Sequence, residues 1–172
     1  VLEGKGEKTA LITTEGFRDV LELTRIRTPR LYDLYYRKPP PLVERRLRFE
    51  VRERMNYKGE VLTPLDMESV ESVVERIADS RVRSVAIALL HSYANADHEA
   101  SVAESLRARF PELNLSVSSE LLPEMREYER TSTTVINAYV RPVVERYLLD
   151  LTHQLRDMGV TVPLTVMQSN GG

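Results

Sequence analysis

Three short stretches of this sequence carry side chains suited to chemistry. The first is "QSNGG", where Ser169, Asn170, Gly171 and Gly172 follow the apolar pair Val166 and Met167. Asn-Gly favours a tight turn, and glycine lets an anion approach backbone N–H groups, as phosphate-binding hairpins require. A plain hairpin turn needs the same residues, so the stretch alone does not decide between them. The second is "LLHSY", which sets His91 directly after the apolar run Val85 to Leu90. If that run is a strand of a parallel sheet, His91 stands at the carboxyl edge, where ligands of α/β sheets bind. There it could transfer a proton, touch a substrate, or simply bond backbone at the strand end. The third is "EYERTSTTVINAYVRP", from Glu127 to Pro142, which also holds Glu129, Arg130 and Asn137. Thr131, Ser132, Thr133 and Thr134 are poor helix formers inside a helical pattern. Their hydroxyls bond backbone in a packed helix, mark a turn between two helices, or meet a ligand. His91 and His98 lack the i, i+4 spacing of a helical metal site, and His98 and His153 read as surface residues.

Composition narrows the class. The chain has 172 residues and no Cys, which excludes disulfides, thiolate metal sites and a Cys nucleophile. At 42% hydrophobic and 29% charged it has the make-up of a globular protein. No apolar run approaches the ~20 residues of a membrane-spanning helix, and a cytoplasmic location is expected. The net charge is −2, yet Arg25 to Lys58 holds eleven Lys or Arg against four Asp or Glu. That excess could draw phosphates or carboxylates, but a salt-bridged surface explains it as well. No nucleic-acid motif accompanies it, so no nucleic-acid partner is expected.

The elements that must position these groups follow from periodicity. "KTALIT" reads as a buried strand, with Thr14 capping a helix over 15–24. "LYDLYY" reads as a short helical turn between prolines. "RRLRFEVRERM" alternates, with Leu47, Phe49 and Val51 on one face and Arg46, Arg48, Glu50 and Arg52 on the other. With Gly59 and "EVLTPL" it suggests a β-hairpin with one wet face. Asp66 caps a helix whose stripe is Met67, Val70, Val73, Val74 and Ile77. "SVAIALL" is a strand buried on both faces, 96–109 a helix stopped by Pro111, and "LSVS" a short strand. A long helical zone spans 124–159, broken or restarted at Pro142 and ended by Gly159. "VPLTVMQ" returns to a strand. Strand and helix alternate, which argues for α/β architecture with a parallel or mixed sheet, flanking helices and a β-hairpin.

Taken in order, "KTALITTEGFRDVLEL", "PRLYDLYY", "RLRFEVRERM" with "GEVLTPLD", "LLHSYANADHE", "EYERTSTTVINAYVRP" and "MQSNGG" resemble the hydantoinase A / 5-oxoprolinase family, closest to its N-methylhydantoinase A branch. The resemblance covers the whole chain. It implies an actin-like ATPase core of the acetate kinase and actin type. It implies an ATP-dependent hydrolase opening a cyclic amide (hydantoin, N-methylhydantoin or 5-oxoproline), with ATP and Mg²⁺ used by the full-length protein. The acetone carboxylase subunit of the same family offers the alternative of an ATP-dependent carboxylase, and a subunit-assembly segment is a second alternative. The expected partners are a hydantoinase B-like second subunit and a small cyclic amide, with self-association possible at uncovered edges. Residues 1–124 would be the latter part of the family's N-terminal domain and 125–172 the start of its hydantoinase A domain. The chain lacks the glycine-rich phosphate loop with which the family begins, so an internal fragment, inactive alone and without tightly bound nucleotide, is expected. Among residues near the family's cleft, Thr13 and Thr14 at a strand end, His91, and Ser169, Asn170, Gly171 and Gly172 are the candidates.

Overall fold

The computed structural model describes residues 1, 4–25 and 35–167. Four parallel strands form its centre: β1 (Thr9–Thr14), β2 (Arg48–Val51), β5 (Ser84–Ala88) and β6 (Asn114–Val117), in the order β2-β1-β5-β6. Every residue of β1 and β5 is buried. Strands covered on both faces need apolar or small residues throughout, and "TALITT" and "SVAIA" supply them. The helices are α1 (Val20–Leu23), α2 (Met67–Ser80), α3 (Asp97–Arg109), α4 (Ser118–Leu121) and α5 (Glu127–Asp157). The α/β architecture with a parallel sheet and flanking helices is as expected, and a small antiparallel hairpin joins β3 (Arg54–Met55) to β4 (Val61–Thr63).

Local capping explains where α2 begins and ends. The Asp66 carboxylate accepts the Glu68 N–H at 3.1 Å, and Arg81 leaves the helix in the left-handed region. Val70, Val73, Val74 and Ile77 are its buried stripe, while Met67 is exposed. At the end of α5, Gly159 takes φ 87° and Val160 N–H reaches back to Leu155 O at 2.9 Å, closing the helix as expected.

Several elements differ from the expectation. The helix over 15–24 shrinks to Val20–Leu23, because the Thr14 hydroxyl is engaged with Glu53 and Leu90 rather than capping a helix, and Gly16 turns the chain at φ 87°. The alternating stretch divides: Arg48–Val51 joins the main sheet beside β1, and only Arg54–Met55 enters the hairpin. Arg48 is therefore buried, not wet. Its guanidinium donates to Val43 O at 3.0 Å and to Glu22 at 2.8 Å. Residues 160–167 form no strand, since a strand needs a partner and none pairs with them among the described residues. The "LYDL" positions 31–34 and Gln168 lie outside the described residues. The basic stretch is largely salt-bridged where described: Arg25 pairs with Glu129, Arg45 with Asp19, Arg46 with Glu44 and Arg52 with Asp66.

Pro142 does not break α5. A proline lacks the N–H that the carbonyl four residues earlier would accept, and its ring crowds that carbonyl. Here the carbonyl is Ala138 O, and the buried Ser84 hydroxyl donates to it at 2.5 Å from the start of β5. The next carbonyl, Tyr139 O, accepts the Glu7 N–H at 2.9 Å. The sheet thus supplies donors where the helix loses one, and the helix stays continuous. Ser84→Ala strands a buried acceptor and is expected to lower stability by about 1–2 kcal/mol in urea unfolding. An unchanged midpoint would show that Ser84 does not support the proline.

Candidate functional site

The carboxyl edge of β1 and β5 gathers the polar residues. These two strands are central and adjacent, with Thr13 opposite Ala88, so the residues that follow them share one edge. Leu90 N–H donates to the Thr14 hydroxyl at 2.8 Å, and that hydroxyl donates in turn to Glu53 Oε1. The second oxygen of Glu53 bonds His98 Nδ1 at 2.8 Å. Glu99, fully buried at the start of α3, accepts from Leu89 N–H at 2.8 Å, the Ser118 hydroxyl at 2.7 Å and Ser119 N–H at 2.9 Å. Ser92 and Ser118 share a further hydrogen bond at 3.1 Å.

The first turn of α5 closes the cluster. Arg130 is wholly buried and donates to Leu89 O at 2.7 Å, Glu124 O at 2.9 Å and Glu127 at 2.9 Å. Its guanidinium lies over the Tyr93 ring at 5.6 Å, within the range of cation–π attraction. The three stretches "TTEGF", "LLHSYANADHE" and "EYERTSTT" therefore meet, although more than 100 residues separate the first from the last. The hydroxyl-rich segment is a packed helix: Thr134 donates to Arg130 O at 2.7 Å, and Asn137 to Ser116 at 2.9 Å. Thr131 is buried with its hydroxyl unpaired.

Of the candidates, the structure brings Thr14 and His91 to this edge. Thr13 sits beside Thr14 but points to the opposite face of the sheet, as successive strand residues must. Ser169, Asn170, Gly171 and Gly172 lie outside the described residues. Among the described residues His91 makes no side-chain hydrogen bond to backbone, although its carbonyl accepts the Ala94 N–H at 2.9 Å. It takes φ 58°, a left-handed conformation that costs a non-glycine residue about 1–3 kcal/mol, and its Nδ1 is buried with no partner among the described residues. Burial, then Arg130 and Arg54, hold its imidazole below the usual histidine range. His98 is not a surface residue as expected, because Glu53 draws it inward until its side chain is 12% exposed. His153 is exposed.

Burial pushes the Glu127 carboxyl up, against the pull of Arg130. An acid with a raised folded value binds its proton more tightly in the folded state, so its contribution to stability is full below the unfolded value and is lost as pH rises through the folded one. Stability is thus expected to fall over an interval beginning just above pH 4.5, and Glu127→Gln to remove that component. Urea midpoints across pH 4 to 7 test this; the same slope in both proteins would contradict it.

Sequence reasoning missed Glu53, Glu99, Arg54 and Tyr93. A concave region lies elsewhere, a cleft of about 400 Å³ between the proline run and α5, bordered by Tyr36, Pro40, Tyr128 and Ser132. Among the described residues, no three His, Asp or Glu side chains are grouped to hold a metal ion. Gly16, at the end of β1, gives its N–H to Glu50 rather than leaving it free for a phosphate. The described residues thus do not by themselves make a metal site or a phosphate loop.

Residues 1–110 match the family model for the hydantoinase/oxoprolinase N-terminal region, and residues 130–172 match the model for hydantoinase/oxoprolinase. The chain belongs to the hydantoinase/oxoprolinase family. An uncharacterized protein of Methanocaldococcus jannaschii is 46% identical over 96% of this chain and 24% of its own length. The caprolactamase alpha subunit of Pseudomonas jessenii is 34% identical over 100% of this chain and 25% of its own. For 5-oxoprolinase 1 of Arabidopsis thaliana the figures are 32%, 100% and 15%. Among solved structures, the ATP-dependent caprolactamase of Pseudomonas jessenii superposes with a TM-score of 0.94 at 34% identity, covering 99% of this chain and 25% of that one. Nucleotide-free acetone carboxylase superposes with a TM-score of 0.83 at 25% identity, over 99% of this chain and 26% of the other. This hydantoinase/oxoprolinase chain therefore spans about a quarter of the length of the first curated relatives it matches. The α/β fold with its parallel sheet is that of caprolactamase and acetone carboxylase, in line with the actin-like expectation.

Proposed function

We propose that the protein carrying this chain uses ATP, with Mg²⁺, to open a cyclic amide. The observation that carries this reading is the 0.94 superposition on an ATP-dependent caprolactamase across 99% of the chain. The chemistry is coherent with it. Amide resonance makes a ring carbonyl a poor electrophile, and a phosphoryl group on its oxygen removes that resonance. Water then adds at the carbon, and the ring C–N bond breaks with nitrogen leaving as the amine. A second water at the acyl carbon of the resulting acyl phosphate releases inorganic phosphate and the carboxylate. In this reading the chain's part is to present the carboxyl edge of β1 and β5. Glu53, Glu99 and Arg130 hold the strand ends, while Thr14 and His91 stand nearest a substrate, with Thr13 behind them. Ser169, Asn170, Gly171 and Gly172 would add backbone donors. In this reading residues 1–124 belong to the N-terminal domain and 125–172 to the hydantoinase A domain, a division supported by the gap between the two family matches. Caprolactamase has an alpha subunit and acetophenone carboxylase a gamma subunit, which supports a partner subunit here. That this partner is hydantoinase B-like and that the complex is cytoplasmic belong to the same proposal.

The test is ATP turnover by the protein at the length of its relatives, with its partner subunit, against caprolactam, hydantoin, N-methylhydantoin and 5-oxoproline. ADP release that requires one of these rings supports the reading. Turnover indifferent to every ring, or requiring a ketone and bicarbonate, overturns it, the latter in favour of the carboxylase alternative. A second reading, that the chain also assembles subunits, is favoured by α5 beyond Pro142, where Val144, Tyr147 and Leu149 are exposed, as is Met158 just after the helix. In that reading charged replacements at Tyr147 and Leu149 would abolish subunit association on a sizing column without unfolding the sheet.

A further inference from the structure

The cleft between the proline run and α5 has no part in the chemistry described above. Its volume of about 400 Å³ is that of a small-molecule site. One wall is a stripe of α5, where Tyr128, Ser132 and Ile136 recur every four residues and so stand on one face. Arg130 is two residues from both Tyr128 and Ser132, which turns it to the other side of the helix, where it meets Leu89 O at the end of β5. The facing wall is Pro39, Pro40 and Pro41, and the buried side chains of Leu21 and Val135 also line the space. Thr24, at the same cleft, takes φ 52°, a conformation unfavourable for a residue with a side chain and of the kind found at ligand clamps.

The charged groups of this cleft are already engaged. Arg25 pairs with Glu129, and the Lys38 ammonium donates to Glu22 O at 2.6 Å and Leu23 O at 3.1 Å at the end of α1. The neutral hydroxyls are not: those of Tyr36, Tyr128 and Ser132 make no hydrogen bond among the described residues. All three residues are half-buried, so they remain open to whatever enters. Ser132 differs in this from Thr134, whose hydroxyl is held by Arg130 O. A hydroxyl both donates and accepts, so the set matches an amide edge with its one C=O and one N–H. An anion entering here would lose its water without gaining a free cation.

We propose that this cleft binds an uncharged cyclic amide, at a site separate from the carboxyl edge of β1 and β5, and that it takes the closed ring but not the opened acid. The ring carbons pack on Leu21, Val135 and the prolines, and the amide edge meets the hydroxyls of Tyr128 and Ser132, with Tyr36 near. Opening the ring creates a carboxylate and an ammonium for which the cleft has no free partner, so the product leaves. The same argument disfavours 5-oxoproline, which carries a carboxylate before it is opened, and favours caprolactam and N-methylhydantoin. The inference rests on the ring-opening reading only for the choice of ring.

Equilibrium dialysis without ATP tests the site, on the protein at the length of its relatives, with labelled caprolactam, N-methylhydantoin, 5-oxoproline and 6-aminohexanoic acid. Ser132→Leu fills the cleft from α5, so the binding it removes is the share that belongs there. That share is expected to be one equivalent per chain for caprolactam and N-methylhydantoin, and at least about tenfold weaker for the two carboxylates. Tyr128→Phe, which deletes one hydroxyl and little else, should weaken it several-fold. If Ser132→Leu unfolds, Tyr128→Phe carries the test alone. Neutral-ring binding unchanged in the folded variants, no saturable binding of either neutral ring, or a cleft share as tight for 5-oxoproline as for caprolactam overturns the proposal. Adenosine displacing caprolactam, with its own binding lost in the same variants, also overturns it and gives the cleft to the nucleotide. Ring-dependent ADP release with no cleft share would remove this site and leave the ring-opening reading standing. A cleft share with ATP turnover indifferent to every ring would do the reverse.

Discussion

Arg130→Met is expected to destabilise the chain by about 3–5 kcal/mol, the largest single effect in the molecule. The guanidinium is entirely enclosed and is the shared donor for Leu89 O at the end of β5, Glu124 O before α5, and Glu127 within α5. A thioether of similar length fills the space but leaves two carbonyls without this donor and Glu127 without its countercharge. The second loss matters most, because burial already penalises the Glu127 carboxylate. Protonating Glu127 relieves that penalty, so the deficit should shrink as pH falls toward 4.5. Arg130→Lys keeps the charge but cannot reach three acceptors in different directions from one planar fork, and should recover only part of the loss. Urea unfolding of the three proteins decides the matter. A loss under about 1 kcal/mol for Arg130→Met would show that the network is held by packing alone.

Glu99→Gln comes second, at about 2–4 kcal/mol, because hydrogen bonds to a charged acceptor are stronger than neutral ones. The replacement is nearly isosteric, so cavity formation is not at issue. The carboxylate accepts three donors, and an amide must turn an NH₂ group toward at least one of them. The effect should be local in a readable way: the amide protons of Leu89 and Ser119 should lose protection from hydrogen exchange before those at the centre of β1. Unaltered protection at both amides would mean that Glu99 does not secure the loop carrying His91.

The sheet was largely legible in the sequence and the site only partly. Two strands buried on both faces announce themselves as apolar runs, and the Asp66 cap and the stripe from Val70 to Ile77 mark α2 without ambiguity. The errors arise where a side chain answers to a distant partner. Thr14 has the chemistry of a helix cap, but Glu53, 39 residues away, claims its hydroxyl. Pro142 should end a helix, but Ser84, 54 residues before Ala138, supplies a donor for the crowded carbonyl. Glu53 itself carried an unused signal. Continuing the inward set of Leu47, Phe49 and Val51 by twos leads to Glu53 and Met55, a carboxylate in a row of core positions, and both are buried. Glu99 likewise precedes Val102, Ala103 and Leu106 on the buried side of α3. A charge standing in line with core residues is rarely unpaired, and asking for its partner would have pointed to Thr14, His98 and Ser118.

The functional account turns on which atom ATP activates, and an oxygen label answers that most directly. The protein at the length of its relatives, with its partner subunit, is given ATP and a cyclic amide carrying ¹⁸O at the ring carbonyl. If the carbonyl oxygen accepts the phosphoryl group and then departs with it, the label is found in inorganic phosphate, in step with ADP and the ring-opened acid. If the ring opens while all of the label stays in the carboxylate, the carbonyl oxygen does not depart with the phosphate, and the mechanism proposed for this chain's edge is wrong.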